Sequence, residues 1–108
     1  MMVLNFRYEV CHNVAAGCED FIGIFQDADN IHRLVKDAIE HKKTLVFREY
    51  NARSNAIYKD ESYAILHKKP NNRGYCFRVE RSGYHTFCTP WEDELTRVVT
   101  QAIGMYHE

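Results

Sequence analysis

Ser62-Tyr63-Ala64-Ile65-Leu66-His67-Lys68, then Lys69-Pro70-Asn71-Asn72-Arg73-Gly74, then Tyr75-Cys76-Phe77-Arg78-Val79-Glu80 is the stretch on which the fold turns. The outer segments are rich in aromatic and branched residues, as strands are. The middle segment has turn chemistry: Pro70 pre-sets φ, and the asparagines and Gly74 tolerate φ above zero. Strands joined this closely run antiparallel, because a parallel pair needs a long crossover. Arg81-Ser82-Gly83 turns the chain again into Tyr84–Cys88. Upstream, Thr44–Tyr50 reads as a strand followed by a polar loop over 51–55. The middle of the chain is therefore an antiparallel meander.

Outward from it, Leu4, Phe6, Tyr8 and Val10 alternate with Asn5, Arg7 and Glu9, the signature of a half-buried strand. His12–Gly17 is a small-residue turn. Asp20–Phe25 is a short apolar run in which Gly23, Phe and Ile favour a strand, with a helix start as the alternative. Asp27 or Asp29 can cap a first helix with Ile31, Leu34, Val35, Ala38 and Ile39 on one face. Its end is placed at Glu40-His41-Lys42-Lys43, where positive charge meets the last carbonyls. Thr89-Pro90-Trp91-Glu92 has the form of a capping box with proline in the first turn. Glu92, Asp93 and Glu94 then set negative charge at that helix's positive end. Trp91, Leu95, Val98, Val99, Ala102, Ile103 and Tyr106 make one apolar stripe. The expected fold is α+β: an antiparallel sheet of five to six strands packed by two amphipathic helices, in one domain spanning residues 1–108.

A chain of 108 residues buries roughly 65% of its unfolded surface, enough for a core without metal or disulfide staples. Seven Tyr, six Phe and one Trp against two Pro argue against disorder. No apolar run is long enough to span a bilayer. Met1–Tyr8 lacks a basic leader followed by a long apolar stretch, so the expected location is cytoplasmic. Cys11, Cys18, Cys76 and Cys88 are accordingly expected as thiols.

The net charge of −1 is unevenly spread. Residues 1–41 carry a balance of −4, residues 42–81 one of +6, and residues 82–108 one of −3. The basic block interleaves Arg48, Arg53, Lys68, Lys69, Arg73 and Arg78 with Tyr50, Tyr58, Tyr63, Tyr75 and Phe77, a composition that attracts phosphate and offers stacking rings. Strand alternation, however, puts Tyr75, Phe77 and Val79 on one face and Cys76, Arg78 and Glu80 on the other. That arrangement fits a core face and a wet face better than a stacking platform.

Cys11, His12, Cys18, His85 and Cys88 are zinc-type donors whose spacing matches no compact zinc motif. No glycine-rich phosphate loop or nucleophile elbow frames Cys11, Cys88, His12 or His85. His67, Lys68, Arg73, Arg78, Tyr84 and His85 could converge on a phosphate for metal-free ribonuclease chemistry. These residue types are equally common on solvated sheet faces. No metal, cofactor or catalytic residue is assigned, and the non-catalytic reading ranks above the enzymatic one. The expected function is that of a small interaction protein of the inhibitor, immunity or adaptor type, its partner another protein and no membrane. The alternative is a nucleic-acid-binding protein or metal-free ribonuclease using the basic segment 42–81. Arg48, Arg53, Lys68, Lys69, Arg73 and Arg78 are the candidate binding residues in either case.

Overall fold

Strict alternation at the N-terminus becomes strand β1 (Val3–Cys11), with Leu4, Tyr8 and Val10 buried and Phe6 half-buried against the same core. The computed structural model describes residues 2–12, 20–50, 62–69, 74–81 and 90–106. Within them β1 is followed by β2 (Phe21–Asp27), α1 (Ala28–Glu40), β3 (Leu45–Glu49), β4 (Ser62–Lys68), β5 (Tyr75–Arg81) and α2 (Pro90–Tyr106). The expected strand at Tyr84–Cys88, the loop 51–55 and the Thr89 cap lie outside the described residues. All four strand pairings are antiparallel and the five-stranded order is β2-β1-β3-β4-β5. The fold is α+β, with both helices packed against this sheet. The ambiguous Asp20–Phe25 run resolves as strand, and β3-β4-β5 is the meander read from the turn chemistry.

The core lies between the sheet and the helices. Ile31, Val35 and Ala38 of α1 and Trp91, Leu95, Val98, Val99 and Ala102 of α2 are buried on Tyr8, Val10, Leu45, Phe47, Ala64 and Leu66. Phe47 meets Phe77 edge-on, with centroids 6.1 Å apart. Tyr75, Phe77 and Val79 pack on this same side, as alternation predicts.

Two local features depart from the sequence expectation. First, α1 ends where expected, at Glu40, but a backbone motif that the sequence did not announce closes it. His41 is its C-cap, Lys42 takes φ 55°, and its N–H donates to the Ile39 carbonyl while Lys43 N–H donates to Ala38. This is a Schellman motif with lysine in the left-handed position usually given to glycine. Ala38's carbonyl also accepts from the Tyr75 hydroxyl at 3.3 Å, tying the helix end to β5.

Second, β1 bulges. Val3 faces Asp27 but Tyr8 faces Phe25, so Leu4–Arg7 leave the ladder with β2. Backbone groups released from a ladder need other partners. The Leu4 carbonyl accepts from Gln26 Nε2 at 2.8 Å, and Asn5 N–H donates to Glu94 Oε1 at 2.8 Å. Glu94 is thus a structural acceptor reached from α2, not merely a charge at a helix end.

Candidate functional site

Residues directly opposite each other in an antiparallel pair share a face, so the register defines what the sheet presents away from the helices. Cys11, Val46, Ile65 and Arg78 form one rung across β1, β3, β4 and β5. Glu9 with Arg48, and Tyr63 with Glu80, form the next. Beyond it the Arg7 guanidinium stands 5.6 Å from the centre of the Tyr50 ring. At the other end His67 is opposite Cys76. Cys11, Val46 and Ile65 are themselves buried, so this outer face has an apolar rung flanked by polar ones.

The polar rung is internally bonded. Arg48 Nη2 is 2.8 Å from Glu9 Oε1, both side chains being about one quarter exposed. Arg78 Nη2 is 2.6 Å from Glu80 Oε1, and the Tyr63 hydroxyl donates to Glu80 Oε2 at 3.0 Å. That bond, then burial, raises the Tyr63 pKa above its ordinary value. The phenol remains protonated and keeps donating.

Of the six predicted binding residues, Arg48 and Arg78 therefore share the outer face, each paired with a carboxylate. Lys68 is opposite Tyr75 and stands on the helix side, and Lys69 is exposed just past β4. Arg53 and Arg73 lie outside the described residues, as do Tyr84, His85, Cys18 and Cys88. The described residues do not join the predicted basic set into one patch.

The His67 ring is held through Nδ1, 3.1 Å from the Lys68 carbonyl. Its other ring nitrogen, Nε2, is buried and has no hydrogen-bond partner. Cys76 is a free thiol across from it. With no hydrogen bond joining thiol and imidazole, the pair lacks the contact by which a base activates a nucleophile.

The expectation of free thiols fails at Cys11, which is disulfide-bonded. Its Sγ is 3.9 Å from the Val46 carbonyl, a contact and not a hydrogen bond, since a disulfide sulfur carries no proton. Oxidised, Cys11 cannot serve as the thiolate of the zinc-type donor set. Among the described residues no helix is long and apolar enough to cross a membrane.

The residue that sequence reasoning missed is Glu94. Its Oε2 accepts the Tyr8 hydroxyl at 2.7 Å while its Oε1 holds Asn5 N–H, and Tyr8 is completely buried. Burial, and then the bond to Glu94, push the Tyr8 phenol far above its usual range. The Tyr8 and Trp91 rings pack 6.2 Å apart beside this latch. A signal was present: position 94 lies three residues after Trp91 and four before Val98, inside the apolar stripe. A cleft of about 480 Å³ opens beside it, lined by Asn5, Phe6, Pro90, Asp93, Glu94 and Arg97. Because both Glu94 oxygens are already engaged, the described residues lining the cleft offer no free buried base.

Two features of the surface remain. Among the described strands, β2 is an outer one with Phe21 57% and Ile24 41% exposed, and β5 is the opposite edge. Compared with protein-family models, curated proteins and solved structures, the chain matches none.

Proposed function

We propose that this chain is a small non-catalytic interaction protein that binds another protein and acts by occupying its surface, in the manner of an inhibitor, immunity protein or adaptor. The observation that supports the reading is the pairing of Arg48 with Glu9 and of Arg78 with Glu80 on the outer face of the sheet. A face that holds phosphate backbone presents unneutralised cations, whose contacts release counterions. Here two of the predicted phosphate contacts are spent on carboxylates of the same face. Donors and acceptors of both signs, fixed in place by the sheet, suit orientation against a protein of complementary charge pattern. The His67–Cys76 geometry likewise lends no support to an enzyme.

Fluorescence anisotropy with labelled RNA, single-stranded DNA and duplex DNA over a salt series tests this reading. Little retention at physiological salt is the expected result. Micromolar binding abolished by charge reversal at Lys68, Lys69 and Arg73 would replace the protein partner by nucleic acid. RNA cleavage lost in His67→Ala would move the reading to a ribonuclease. Affinity capture from the source cells under nuclease treatment supplies the positive arm, with Glu9→Lys/Glu80→Lys as the variant that should release the captured protein.

A further inference from the structure

We infer that the chain forms a two-fold dimer in which β2 pairs antiparallel with β2 of a second copy, joining the two sheets edge to edge. An edge strand offers a row of unpaired N–H and C=O groups, and proteins that remain monomeric protect it with charge, proline or a covering segment. The two edges differ in this respect. β5 carries Arg78, Glu80 and Arg81. In β2, Phe21-Ile22-Gly23-Ile24-Phe25-Gln26 contains no charge and no proline, the strand's one charge being Asp27 at its end, whose side chain caps α1, and no described strand pairs with its outer side.

The side chains point to the same occupant. Ile22 and Phe25 turn toward the core, where the Phe25 ring lies over Gly23 so closely that a Cβ there would come within 2.9 Å of it. Ile24, opposite Glu9, stands on the outer face, and Phe21, opposite Cys11, stands with it. Both are exposed at the seam. About a two-fold axis at Ile24, Ile24 meets its own copy, Gly23 meets Phe25, and Asp27, the one charge of the strand, meets Phe21 and not another charge. A net charge of −1 adds little repulsion between copies. Pairing β2 with the β5 edge of another copy would instead set Arg78 and Glu80 beside Ile24 and would propagate without closing. The two-fold arrangement closes on itself and keeps all helices on one side. It leaves the outer-face pairs of both copies accessible, so it does not depend on the protein-partner reading.

Sedimentation equilibrium and hydrogen exchange on the intact chain test the proposal. The wild type should sediment at twice the 12.8 kDa chain mass in the micromolar range. Ile24→Lys, which places an edge-protecting charge on the seam, should sediment at the chain mass with an unchanged circular dichroism spectrum. Arg78→Ala on the other edge should remain dimeric. In the wild type the β2 amides should gain protection as concentration rises, a readout that stands even if Ile24→Lys fails to fold. A monomer throughout the micromolar range, a dimer that survives a folded Ile24→Lys, or β2 exchange independent of concentration would overturn the proposal.

Discussion

Replacing Glu94 by alanine removes one acceptor from two donors at once. Its oxygens take Asn5 N–H at 2.8 Å and the Tyr8 hydroxyl at 2.7 Å, and the residue is 8% exposed. Hydrogen bonds to a charged group contribute roughly 1.5–3 kcal/mol each. Both belong at the low end here. Asn5 lies on an exposed stretch where water can replace the carboxylate, and Tyr8 retains a long bond to the Trp91 carbonyl at 3.3 Å. The loss is then about 3 kcal/mol, which for a domain of this size lowers the melting temperature by about 12 °C. Tyr8→Phe removes one of the two bonds and should cost about half as much. Glu94→Gln keeps an acceptor for Asn5 and should cost about 1 kcal/mol, the loss of charge assistance. Because both single variants break the Tyr8–Glu94 bond, the double variant Tyr8→Phe/Glu94→Ala should fall short of the sum by about 1.5 kcal/mol. Thermal melts followed by circular dichroism measure all four. A Glu94→Ala protein melting within about 3 °C of wild type, a shift worth under 1 kcal/mol, would refute the assignment of Glu94 as the acceptor that completes the bulge.

Leu95 is completely buried in the middle of α2, so Leu95→Ala should lose roughly 2–5 kcal/mol; urea titration with an unchanged midpoint would remove the residue from the core. Lys42→Gly relieves the left-handed lysine at the end of α1 and should stabilise by roughly 0.5–1 kcal/mol; a lower urea midpoint would contradict the strain. Because Cys11 is oxidised, at most two of the four cysteines should react in a thiol titration of the unreduced, denatured protein. Four reactive thiols would contradict the disulfide.

What could be read in the sequence was whatever repeats at the period of one element. Alternation over Val3–Val10 and the four-residue recurrence of Leu95, Val99 and Ile103 report burial directly, and the turn chemistry at 69–74 reports strand direction. Asp20–Phe25 has neither period, since Gly23 interrupts it, and only pairing with β1 makes it a strand. Lys42 could not be recognised, because the Schellman motif is a matter of backbone angles that lysine does not advertise. Glu94 was hidden by a competing rule: acidic residues in a first turn complement the macrodipole, which masks one that also points into the core. The Glu9–Arg48 pair of the outer face was illegible for another reason. Glu9 is 39 positions from Arg48, and they meet only through the β1–β3 register. A block of like charge counted along the chain therefore overstated the basic surface: Glu9 reaches Arg48 from another strand, and Glu80 pairs with Arg78 two residues away on the same one.

The Glu94 latch also orders events in time. Its two bonds close contacts across 89 and 86 positions of sequence, between a strand and a helix that the ribosome makes well after it. During translation β1 can pair with β2 and β3 while Asn5 and Tyr8 still lack their acceptor, so the bulge of β1 opposite β2 stays unfinished until α2 has emerged. Contacts of such span slow folding, because the chain must be ordered before they form. A nascent chain stalled before residue 94 should accordingly remain sensitive to protease in β1, and extension until α2 has emerged should convert β1 to the resistant form in a single step.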